Sequence, residues 1–121
     1  MIKNKFKQEF IKRLLKFSIA VLKFAKKLEK ERIFWPLIDQ LIRSSTSIGA
    51  NIIEAQTSSS RKEYTRYFEI ALKSSNETKY WLILIKTIKP KMTIQIDALL
   101  EELEEISKII GASIVSLKKK N

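Results

Sequence analysis

Proline occurs at only two positions, 36 and 90, and glycine is equally rare in this chain of 121 residues. So few breakers cannot supply the tight turns of a β fold, and they favour long helices over disorder. The apolar spacing agrees. Phe6, Phe10, Leu14, Phe17, Val21, Phe24 and Leu28 recur every three or four residues. At about 100° per residue they fall in one narrow arc. Lys5, Lys12, Lys16, Lys23, Lys26, Lys27 and Lys30 fall opposite. The pattern predicts a cleanly amphipathic first helix over residues 5–30, with a lysine stripe facing outward.

Punctuation sets the other boundaries. Pro36 suits the first position of a helix over 36–57, because its missing N–H would have no helical partner there. The core face of that helix is Leu37, Leu41, Ile48, Ile52 and Ala55. Ser60 and Glu63 have capping-box spacing, each side chain positioned to satisfy the other residue's free N–H. They open a third helix, 61–88, which Pro90 prevents from continuing. A fourth, 94–117, has the core face Ile96, Leu99, Leu103, Ile106, Ile110 and Leu117. Glu104 and Lys108 are spaced for an i,i+4 pair on it, and residues 118–121 form a frayed tail. Four long helices with short loops predict an all-α, antiparallel up-down-up-down four-helix bundle, one domain over residues 1–121.

Two helices carry more than a bundle needs. In the third, Phe68, Ala71, Ser75, Leu82 and Ile85 make one apolar face, and Tyr67, Ile70, Ser74, Trp81, Leu84 and Ile88 a second. Together they cover roughly 200°, against about 100° for an ordinary surface helix. This predicts a homo-oligomer with Tyr67, Ile70, Trp81, Leu84 and Ile88 at its interface. In the second helix, the stretch SIGANIIEAQ (47–56) places Ser47, Gly49 and Asn51 where helix propensity gains nothing. Arg43, Ser47, Asn51 and Glu54 form a polar stripe within about 80°. Its expected role is structural, through bonds to a neighbouring helix or subunit. Ser45 and Gly49 sit nearer the core, where small residues admit a second backbone. A catalytic Glu54 has no companion base or nucleophile.

The chain has neither Cys nor His. That removes thiolate chemistry, the commonest general base and the usual zinc ligands, and it fits a reducing cytoplasm. A non-enzymatic protein without metal or cofactor is expected. The net charge of +11 instead points to a polyanion. Residues 1–35 carry a net +8 and residues 61–91 a net +5, while the other two segments are near neutral. In an antiparallel ring, helices one and three are diagonal, so the basic surface forms two separate strips. The candidate nucleic-acid contacts are Lys12, Lys16, Lys23 and Lys27, with Lys62, Arg66 and Lys73 beside Tyr80, where bases can stack on a ring. Glu69 and Glu77 are spaced to pair with Lys73 instead. No apolar run approaches the roughly 20 residues of a membrane span, and the N-terminus lacks a signal-like apolar core. A basic amphipathic first helix is compatible with a membrane surface, but its phenylalanines are better used as core. A cytoplasmic protein with no membrane partner is expected.

Residues 42–55 follow I-R-x-S-x-S-I-x-A-N-I-x-E-A, residues 63–74 follow E-[YF]-x-R-[YF]-x-x-I-A-x-x-S, and residues 77–82 follow E-x-x-Y-W-L. This stretch resembles the four-helix bundle proteins encoded by intervening sequences of bacterial 23S ribosomal RNA genes. It also resembles their relative, the accessory variability protein of diversity-generating retroelements. The other helices agree in pattern only. The resemblance implies a barrel-like homopentamer with a basic surface and no established enzymatic activity. The retroelement relative binds nucleic acid and its reverse transcriptase, so the resemblance also admits a scaffold for such a partner. The lysine-rich first helix departs from the family pattern, where more acidic residues are expected.

Overall fold

The computed structural model describes residues 4–119. Its helices are α1 (Asn4–Lys26), α2 (Trp35–Ala55), α3 (Arg61–Ile88) and α4 (Thr93–Lys119), with short 3-10 turns at Arg32–Phe34 and Pro90–Met92. Each helix packs on its sequence neighbours, and α1 packs on α4 to close the ring; α1 and α3, like α2 and α4, stand diagonally with no close backbone approach. This is the up-down-up-down bundle. The α2–α3 pairing is the most intimate and the α1–α4 closure the loosest. Of the expected frayed tail, Lys118 and Lys119 are helical, while residues 120–121 lie outside the described residues.

The helix ends have identifiable causes. The first helix stops at Lys26, short of residue 30. Lys27 N donates to Phe24 O at 3.0 Å and Leu28 N to Ala25 O at 2.9 Å, tightening the last turn to i→i−3 bonds. This reverses the chain while keeping Leu28 fully buried. Trp35 Nε1 then donates to Glu29 O at 2.7 Å across the loop. Phe34, just before α2, enters the core. Pro36 is the second residue of α2 rather than its first. At the far end of α2, Gln56 Nε2, Thr57 Oγ1 and Ser58 Oγ donate to the carbonyls of Ile52, Glu54 and Ala55. These side chains replace the bonds a continuing helix would have made. Ser60 Oγ accepts from Glu63 N at 3.1 Å, as expected, but Glu63 Oε1 reaches back to Ser59 N rather than Ser60 N.

One core joins all four helices, and the expected faces of α3 and α4 are buried in it. Four further expectations need correction. Phe6 is 51% exposed, because it sits in the first turn of α1, where it is stacked on Phe10 at the bundle's end. In α2, Ile38 is buried and Leu37 only half-buried, so the core stripe enters one residue later than the spacing indicated. Lys108 pairs with Glu105 at 3.6 Å, one residue nearer than Glu104. Finally, α1 is not cleanly two-faced. Leu15, Ile19 and Leu22 form an exposed aliphatic flank between core and lysines.

Candidate nucleic-acid interface

Interhelical geometry divides the cations of this chain into two populations. The first ties the bundle together. Arg13 of α1 donates to both carboxylate oxygens of Glu102 on α4, at 2.6 and 2.9 Å. Arg43 of α2 pairs with Glu77 of α3, and Lys89 pairs with Glu31 between the two loops at the opposite end from the α2–α3 turn. Lys86 meets Asp97 at 2.6 Å, and Lys118 meets Glu69 at 2.8 Å, both joining α3 to α4.

The second population points outward. Lys12, Lys16 and Lys23 lie exposed along α1 and Lys27 in the turn just after it, and Lys62, Arg66 and Lys73 lie exposed along α3. Lys12 reaches Glu9 only at 4.0 Å and largely in solvent, a contact of little energetic weight. The other six have no carboxylate within ion-pair distance among the described residues. The expected diversion of Lys73 into local pairs does not occur. Glu69 is taken by Lys118 and Glu77 by Arg43, partners on other helices that sequence spacing cannot indicate. Tyr80 is exposed on the same side of α3 and meets Trp81 edge-on, with ring centroids 5.0 Å apart. Because α1 and α3 are diagonal, the two basic strips remain on opposite corners of the protomer.

The polar stripe of α2 is a helix seam. Ser47 Oγ accepts from Ser74 Oγ across to α3 at 3.0 Å and from Asn51 Nδ2 at 3.0 Å. One turn along, the hydroxyls of Ser44 and Thr78 lie 3.0 Å apart and fully buried. Arg43 continues the seam through Glu77, which also accepts from Trp81 Nε1 at 3.1 Å. Small hydroxyl side chains let α2 and α3 approach closely while satisfying one another. Glu54, the fourth residue of the stripe, is exposed and joins no ion pair among the described residues. Gly49 takes no part in the seam. It faces α1, where a Cβ would meet Leu14 Cβ at 3.5 Å, an ordinary contact.

The surplus apolar arc of α3 is largely absorbed within the protomer. Tyr67 and Trp81 pack on the core. Ile70 and Leu84 are half-buried, and Ile88 alone of the five is exposed. The helix is flanked by α2 on one side and α4 on the other, which accounts for its wide apolar arc without a second chain.

A family model for the 23S rRNA-intervening sequence protein matches residues 7–112, spanning all four helices. The chain belongs to the 23S rRNA-intervening sequence protein family. Among solved structures it is similar to a protein of unknown function from the S23 ribosomal protein family of Bacteroides thetaiotaomicron. That likeness has a TM-score of 0.82 at 33% identity, covering 87% of this chain and 97% of the other. No curated protein matches the chain. No described helix of this intervening-sequence protein is long and apolar enough to cross a membrane.

Proposed function

We propose that this intervening-sequence protein is a non-enzymatic, self-assembling bundle that binds RNA or DNA through phosphate contacts along α1 and α3. One observation carries the reading. The cations that hold the fold together are paired, while Lys16, Lys23, Lys27, Lys62, Arg66 and Lys73 are exposed without carboxylate partners among the described residues. Lysine rows of this kind neutralise phosphates and release counterions, a binding mode that needs no base contact. The homopentamer implied by the family resemblance suits this mode, since copies around a ring multiply the strips available to one strand.

The test is the affinity for a short structured RNA, measured by fluorescence anisotropy, of a variant carrying Lys16→Gln, Lys23→Gln and Lys27→Gln. Affinity should fall at least tenfold, while Lys118→Gln, which removes a paired cation, should leave it nearly unchanged. Equal losses would contradict the division between the two populations. An assembled chain that leaves RNA unbound would move the reading to a scaffold for a protein partner.

A further inference from the structure

The aliphatic flank of α1 faces an equally uncharged side of α2. Leu15 is 61% exposed and Leu22 44%, and Ile53 of α2 is 51% exposed. With Leu14 and Gly49 as its floor and Ala50 on its far side, Leu15 of the flank bounds a groove of about 260 Å³ without a charged lining residue. Contiguous aliphatic surface of this kind marks a docking site rather than a solvated face.

Charge selects the occupant. The α1 edge of the groove is flanked by the lysine row, so pairing the groove with itself about a two-fold axis would set two such rows together. That arrangement is repulsive. A favourable partner face is acidic with an apolar contact, and α4 presents one. Glu101, Glu104 and Glu105 are exposed on its outer side. Asp97 and Glu102 are engaged by Lys86 and Arg13 on other helices, whereas Glu105 meets only Lys108 of its own helix, at 3.6 Å and largely in solvent. Two turns before Glu101, Ile94 is 84% exposed.

We infer that the α1–α2 groove of one copy receives the outer face of α4 from the next, with Ile94 in the groove and the glutamates against the α1 lysines. The inference rests on the self-assembly proposed above and names its contact. Two different surfaces meet, so the contact is head-to-tail and closes into a ring where the rotation allows. The lysine row extends roughly 30 Å along α1, whereas the glutamate cluster covers about one turn, so part of the row stays open to phosphate.

A head-to-tail contact has a distinctive test. Leu15→Asp with Ile53→Asp disables the groove. Ile94→Asp with Glu101→Lys and Glu104→Lys disables the α4 face. Light scattering should give a single-chain mass for each variant alone. An equimolar mixture should give dimers, because each variant keeps one working face. Ile88→Asp, on the exposed edge of α3, should leave the wild-type mass unchanged. Helical circular dichroism and thermal unfolding check the fold of every variant. If the groove pair fails to fold, Ala50→Arg blocks the groove from an exposed position. Wild-type mass in either variant, or a mixture that stays monomeric, overturns the inference, as does assembly lost only in Ile88→Asp. A monomeric wild-type chain would refute self-assembly itself.

Discussion

Arg13 and Glu102 make a two-pronged hydrogen-bonded ion pair across the α1–α4 closure, the loosest contact in the ring. Both side chains remain more than a third exposed, so solvent screens the attraction. A double-mutant cycle with Arg13→Ala and Glu102→Ala should give a coupling of about 1 kcal/mol in urea unfolding. The hydrogen bonds to Glu102 raise the Arg13 guanidinium above its ordinary value. A raised group lends its stability below its unfolded value and loses it only as pH rises through the folded one. Deprotonation of Arg13 should therefore not weaken the closure at any pH below the strongly alkaline range.

The hydroxyl seam makes the α2–α3 contact intolerant of size rather than of lost hydrogen bonds. Ser44 is fully buried against Thr78. Ser44→Leu should destabilise by about 1–3 kcal/mol through overpacking, and Ser44→Ala by no more than about 1 kcal/mol. The order of their unfolding midpoints checks this.

Neither glycine is required by the protomer. A Cβ at Gly49 meets only Leu14 at ordinary contact distance, and one at Gly111 meets nothing within 4 Å. Both lie inside helices, so Gly49→Ala and Gly111→Ala should each stabilise the chain by about 0.5–1 kcal/mol in thermal unfolding.

The two neighbouring phenylalanines of α1 should separate sharply. Phe10 is buried, and Phe6 is half out. Phe10→Ala should cost about 3–5 kcal/mol, whereas Phe6→Ala should cost about 1 kcal/mol or less, since little of its area leaves water.

Phe6 also shows where sequence stops being informative. Helical spacing places it on the stripe of Phe10 and Leu14, but spacing describes a helix, not where its neighbours end. The core faces of α3 and α4 were legible because those helices are packed along most of their length. The pairs Arg43–Glu77 and Arg13–Glu102 were not, because their partners stand 34 and 89 residues apart in sequence. The aliphatic flank was within reach. Ile11, Leu15, Ser18 and Leu22 repeat at helical spacing beside the phenylalanine stripe, a second period hidden by the stronger one. The wide apolar arc of α3 was visible, but only the ring order shows that α2 and α4 cover it.

The basic surface is tested most directly by the affinity of the wild-type chain for a short RNA at several salt concentrations between about 50 and 200 mM. Phosphate-dominated binding predicts a straight fall of log affinity with log salt, with a slope of roughly −0.7 for each phosphate neutralised on a single strand. Several contacts should give a slope steeper than about −2. A flat line would contradict the account, because the unpaired lysines of α1 and α3 would then not be meeting phosphate.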